Sequence, residues 1–200
     1  MSSEEDRIAA YYDQLVDMYG HDPRAVDASS NESLQVRYSV LSEVGDMTDK
    51  SVLEVGCGFG DLGAFLCERY ERLRYHGVDI SGRMVEEARR AYPALNFDVG
   101  TVFGVPASPT YDFVIAQGIF YLLREDPVAR MRETLEQMFA RASEAVAVTT
   151  LSTWGQQYHP DEFRIDPKAA LELADSLTRR VVLRHDYHPG DLALYLYKPD

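Results

Sequence analysis

The chain has 200 residues, 46% of them hydrophobic and 26% charged, which suits one globular domain with a proper core. Its formal net charge is −13 and its only lysines are Lys50, Lys168 and Lys198, so it is a poor candidate for gripping a nucleic-acid phosphate backbone. No apolar run approaches the roughly 20 residues of a membrane span, and the polar, acidic start Met1–Arg7 is unlike a secretory signal, so the expectation is a cytoplasmic protein.

Ile8, Tyr11, Tyr12, Leu15 and Tyr19 recur at helical spacing and predict a first helix over Glu4–Tyr19. A polar loop follows from Gly20 to Ser30. Leu34, Tyr38, Leu41 and Val44 then mark a second helix, ended by Gly45. From Ser51 the rhythm changes. Strands are expected at Ser51–Val55, Arg74–Asp79, Asn96–Val99, Tyr111–Ala116 and Ala145–Leu151, with helices at Leu62–Tyr70, Arg83–Ala91 and Pro127–Arg141. Such alternation predicts an α/β fold: a parallel sheet with right-handed crossovers and helices on both faces. After a helix at Pro167–Leu177, two β-rich runs, Val181–Tyr187 and Leu192–Tyr197, are joined by His188-Pro189-Gly190-Asp191. So short a connection makes an antiparallel hairpin.

Cys57 and Cys67 sit in neither Cys-x-x-Cys nor zinc-like spacing, so reduced thiols are expected and a structural metal is not. His185-Asp186-Tyr187-His188 has the composition of a metal cluster. Alternation along a strand sends His185 and Tyr187 to one face and Asp186 to the other, which reads as hairpin structure.

The strongest local signal is Val52-Leu53-Glu54-Val55-Gly56-Cys57-Gly58-Phe59-Gly60-Asp61-Leu62-Gly63, a buried strand running through a glycine-rich turn into a helix. Glycines permit positive φ and close approach of a ligand to the backbone. Turns of this kind lie at the carboxyl ends of strands, where open α/β sheets bind ligands. Gly58 to Gly63 matches the dinucleotide pattern G-x-G-x-x-G, but its first glycine lies late after the strand. The alternative register, Glu54-x-Gly56-x-Gly58-x-Gly60, opens directly from the strand. Asp79, about twenty residues on, ends the next strand, where a carboxylate accepts both ribose hydroxyl protons of an adenosine. Nicotinamide enzymes use the same device, so Asp79 alone leaves both cofactors open.

The second register resembles the first motif of class I S-adenosylmethionine-dependent methyltransferases, and the likeness runs from about Ser51 to Lys198. The resemblance implies one domain: a Rossmann-like core over 51–198, mostly parallel and seven-stranded with the antiparallel terminal hairpin, and a helical lid over 1–45. It implies S-adenosyl-L-methionine as cofactor and S-adenosyl-L-homocysteine as product. Glu54, Gly56, Cys57, Gly58 and Gly60 would then wrap the methionine moiety, and Ile80 would pack on adenine. An acidic residue often follows the glycine of the Asn96–Val102 segment in that family. Here Thr101 stands there, so adenine would be read by the Thr101 hydroxyl and the Val102 backbone N–H. Gln117 would border the cofactor, and Phe120 and Tyr121 the acceptor. Arg37 is a candidate partner for the methionine carboxylate.

The acceptor side offers Tyr11, Tyr12 and Tyr19 on the first helix and Trp154 and Tyr158 after the fifth strand, aromatic groups with polar tips that suit a small molecule. His21 and His159 are the candidate general bases, needed only where the acceptor loses a proton. The expected activity is methyl transfer to an O or N atom of a small molecule. The alternatives are transfer to a protein side chain, a cofactor-binding protein without transfer, and an NAD(P) oxidoreductase.

Overall fold

The computed structural model describes residues 3–156 and 159–199. Its elements are α1 (Ser3–Tyr19), a 3-10 turn (Pro23–Val26), α2 (Asn31–Ser42), β1 (Ser51–Val55), α3 (Asp61–Arg69), β2 (Arg74–Asp79), α4 (Gly82–Ala91) and β3 (Asn96–Val99). A second 3-10 turn (Val102–Gly104), β4 (Tyr111–Gln117), α5 (Pro127–Arg141), β5 (Ala142–Leu151), α6 (Pro167–Asp175), β6 (Val181–Arg184) and β7 (Asp191–Tyr197) complete it.

Local chemistry sets the helix starts. Ser30 and Ser81 sit in extended backbone before α2 and α4, and their hydroxyls accept from Ser33 N and Met84 N. Asp126 and Asp166 cap α5 and α6, each with proline at the next position, where a missing N–H costs nothing.

The seven strands form one sheet in the order β3-β2-β1-β4-β5-β7-β6. Strands β1 to β5 pair in parallel, and β7 runs antiparallel to both β5 and β6. The chain moves outward from β1 to β3 and then returns to β4 on the other side of β1. The tips of β1 and β4 therefore flank a crevice, the point at which such sheets take ligands.

Central strands are buried on both faces, so they read as nearly continuous apolar runs. Val114, Val146, Val148 and Leu194 face Met131, Leu135 and Met138 of α5 and Leu173 of α6. Phe113, Ile115, Ala147 and Tyr195 face Leu34, Tyr38 and Leu41 of α2 and Leu62 and Leu66 of α3. A small separate core joins Leu15 and Val16 of α1 to Ala25, Phe59 and Met84. Within the segment 1–45 expected as a lid, α1 and the first 3-10 turn lie over the strand ends, whereas α2 packs on the sheet.

Other boundaries differ for visible reasons. The loop Gly20–Ser30 contains the 3-10 turn, because Asp22 caps it and Pro23 starts it. Strand β5 begins at Ala142 because α5 passes directly into it, and Ala142 already pairs with Tyr111. Strand β6 stops at Arg184 instead of Tyr187. Beyond it His185 Nε2 meets Ser152 Oγ at 2.7 Å and Asp186 holds the Arg184 guanidinium, so the metal-like run is spent on structural contacts. Among the described residues no group of three or more His, Cys, Asp or Glu side chains is arranged for a metal ion. No helix among them is long and apolar enough to cross a membrane.

Leu53 is fully buried in β1, between the crevice and the α5 layer. Leu53→Ala is expected to lower unfolding stability by about 2–5 kcal/mol, read as a lower urea midpoint at unchanged slope.

Candidate functional site

The site begins where β1 ends. Gly56, Gly58 and Gly60 adopt φ of 73°, 51° and 80°, the left-handed region that favours glycine. Gly56 N and Cys57 N both donate to Val78 O, at 2.8 and 3.1 Å, which clamps the turn to the end of β2. A Cβ on Gly56 would stand 2.3 Å from Ile119 Cγ2, so the loop after β4 lies directly on the turn. A Cβ on Gly60 would meet Phe97 at 2.6 Å. Gly60 is the N-cap of α3, its α-carbon close to Phe97 of β3, and it is not among the residues lining the cavity.

Asp79 closes the next strand and is 7% exposed. Its Oδ2 accepts from Gly58 N and its Oδ1 from Ser81 N, both at 2.8 Å. Both oxygens are thereby tied to backbone N–H groups of the flanking turns. Ser81 performs the capping, so Asp79 is not the N-cap. Burial raises the Asp79 carboxyl, against the backbone donors that lower it. Glu54 is 2% exposed and accepts from the Tyr75 hydroxyl at 2.5 Å. Burial pushes Glu54 up to about 8, with the nearby Asp61 and Asp79 adding to the rise. Burial also raises the Cys57 thiol.

These groups line a cavity of about 750 Å³, within the range of small-molecule and cofactor sites. One end is formed by Asp79, Ile80, Thr101 and Val102, from the tips of β2 and β3. The middle holds Glu54, Gly56, Cys57, Gly58, Gln117, Gly118 and Ile119, from β1 and β4. The far end passes Phe120 and Tyr121 to Thr149, Thr150, Arg37, Arg164, His159 and Asp191. There the buried atoms Thr149 Oγ1, Thr150 Oγ1, Arg164 Nε and Asp191 Oδ1 have no hydrogen-bond partner among the described residues.

The structure separates the expected acceptor residues. Tyr11, Tyr12 and Tyr121 line the cavity, and their hydroxyls meet around Asp27. Tyr19 lies outside it, with the Arg24 guanidinium 4.6 Å above its ring. Trp154 is 68% exposed and packs on His185, also outside the wall. Tyr158 lies outside the described residues. His159 lines the cavity, whereas His21 does not. His21 stacks on Phe59 and holds Asp61 at 2.9 Å, and that bond raises its imidazole. Arg37 lines the cavity with its Nε already paired to the buried Asp191 at 2.6 Å. Asp27, Asp61 and Asp191 had no sequence signal of their own. Asp27 sits in a polar loop, and only the fold brings two tyrosines to it.

Residues 52–142 match a family model described as a methyltransferase domain. A Mycobacterium tuberculosis protein named as a methyltransferase is 26% identical over 148 residues, 68% of this chain and 86% of that protein. Trans-aconitate 2-methyltransferase of Rhodopseudomonas palustris is 30% identical over 81 residues, covering 40% of this chain and only 32% of the enzyme. Among solved structures, magnesium protoporphyrin IX methyltransferase from Synechocystis with bound S-adenosylmethionine superposes with a TM-score of 0.71 at 15% identity, over 100% of this chain and 99% of that one.

Glu54 ties stability to pH. Its ordinary value is 4.5 and its folded value about 8, so the folded state holds the proton more tightly. Its contribution is fully present below the unfolded value and is lost as pH rises through the folded one. Glu54→Gln removes this dependence. The stability of the wild type relative to that variant is expected to fall from about pH 5 to about pH 9 in urea titrations; a flat difference refutes the raised carboxyl.

Proposed function

We propose that this chain, a member of the class I S-adenosylmethionine-dependent methyltransferases, transfers the methyl group to an oxygen or nitrogen atom of a small molecule held over the tips of β4, β5 and β7. The observation that carries this is the continuity of one concave cavity from Asp79 to Asp191, with Ile8, Tyr11 and Tyr12 of α1 in its wall. A deep cleft of this size favours a small acceptor over a side chain on another protein's surface. The small organic acid in the name of the Rhodopseudomonas relative supports an acceptor of that size.

The residues present fit the cofactor. Asp79 offers a carboxylate for a pair of vicinal hydroxyls, and the glycine turn has no Cβ to block a close approach. Asp61 and Asp79 place acidic groups in the cavity wall, suited to a ligand bearing positive charge. When bound, S-adenosylmethionine supplies a methyl group made electrophilic by its sulfonium.

The chain's own residues supply position and dryness. Asp79 and the Val102 N–H would hold the adenosine end and Ile80 would pack on the base, while Gly56, Gly58 and Gln117 would frame the amino-acid end. Ile119 and Phe120 form an apolar wall at the β4 tip, and α1 excludes water from above. Orienting two reactants in this way removes roughly 7–11 kcal/mol of barrier without any further group. His159, which lines the cavity, would take the proton from an acceptor that must lose one.

Isothermal titration with S-adenosylhomocysteine is expected to give saturable 1:1 binding, and NADH none. Asp79→Ala, which removes two charged hydrogen bonds to the sugar, is expected to weaken that affinity by roughly 100-fold. Unchanged affinity in the variant, or tighter binding of NADH, overturns the assignment.

A further inference from the structure

Asp27 closes the first 3-10 turn at φ 51°, a left-handed conformation that aspartate adopts more readily than most residues. Three separate parts of the chain meet at its carboxylate. Tyr11 of α1 donates to Oδ2 at 2.6 Å, and Tyr121, beyond β4, donates to the same oxygen at 2.7 Å. The Tyr12 and Tyr121 hydroxyls are 2.6 Å apart. All four residues line the cavity.

Counting protons fixes the polarity of this cluster. A carboxylate has none to give, so Tyr11 and Tyr121 are both donors. Tyr121 has then used its single proton, and Tyr12 must donate to it. All three phenol protons are consumed inside the cluster. What remains for a ligand is oxygen lone pairs carrying the negative charge of Asp27. Burial raises both Tyr12 and Tyr121, so the phenols keep their protons.

The cluster also has a defined place. Val26, the residue before Asp27, lies 3.7 Å from where a Cβ on Gly58 would stand, and Ile119, close before Tyr121, overlies Gly56. It therefore hangs above the glycine turn on the β4 side. Of the arginines that line the same cavity, Arg7 is turned to Leu122 O and Glu4, Arg124 to Asp161, and Arg130 to Glu5 and Glu133, while Arg37 and Arg164 stand at the far end, on Asp191 and Glu162.

We infer that this cluster is the recognition element for the methyl acceptor, and that it selects a head group that donates hydrogen bonds, an amine or a hydroxyl, over an ionised carboxylate. The inference rests on the small-molecule methyl transfer proposed above. Asp27 is exposed, so the discrimination comes chiefly from the proton count: a donor finds lone pairs ready for it, whereas a carboxylate brings no proton to share and like charge besides.

The test uses protein saturated with S-adenosylhomocysteine and three probes sharing one ring: benzylamine, benzyl alcohol and benzoate. Calorimetric titration is expected to rank the amine first, the alcohol second and benzoate at least about tenfold weaker than the amine. Asp27→Asn keeps the size and the left-handed backbone but loses the charge, and Tyr121→Phe keeps the ring but breaks the link. Each is expected to shrink the preference to about twofold while thermal midpoint and S-adenosylhomocysteine affinity hold. Equal binding of amine and benzoate, no measurable amine binding, or a preference that survives both variants overturns the inference. So does a loss of S-adenosylhomocysteine affinity in Asp27→Asn with the preference intact, which would assign the cluster to the cofactor's own ammonium. Failure of the wild type to bind S-adenosylhomocysteine counts instead against the methyl-transfer reading.

Discussion

The site depends on one hydrogen bond, from Gly58 N to the Asp79 carboxylate at 2.8 Å. It joins the turn after β1 to the tip of β2, and it does so inside a buried crevice where an unpaired donor or acceptor is costly. The turn can offer that N–H only because Gly56, Gly58 and Gly60 take positive φ. The same bond orients Asp79 in the cavity wall. Fold and binding chemistry thus share a contact, and each side chain that overlies the turn, Ile119 and Val26 among them, is positioned against it.

Around that bond the cavity gathers several acidic groups, and burial acts on their protonation. Glu54 and Asp79 both sit in the wall with their carboxyls raised by burial, and Asp61 stands beside them. Burying carboxylates without cations costs stability. Asp61 behaves differently. Burial works to raise it, but the bonds from His21 and Tyr92 outweigh that and lower it, so it stays charged.

The N-terminal helix makes the cavity from an open crevice. Polar contacts hold α1 at both ends of the site: Glu4 accepts from Arg124 N and Glu125 N beyond β4, and Asp13 accepts from the Ser81 hydroxyl at the start of α4. Between them Tyr11 and Tyr12 reach Asp27 and Tyr121. The apolar contribution of α1 is a small core of its own, Leu15 and Val16 with Ala25, Phe59 and Met84.

Glycine spacing and strand periodicity are local properties, and the sequence alone determined what rests on them: the parallel sheet, the antiparallel last strand, the turn at Gly56–Gly58 and the carboxylate of Asp79. Side-chain partners across the fold are not local. Nothing near Asp27 announces Tyr11 and Tyr121, which lie 16 and 94 positions away. Nothing near Arg37 announces Asp191, 154 positions away. Gly60 carried the spacing of a ligand loop, yet the tilt of α3 turns it toward Phe97. Trp154 had the chemistry of a pocket wall, yet its loop leaves it in solvent. Only the tertiary structure decided which polar groups share the cavity, because that depends on how separate elements are packed and not on the period within any one of them.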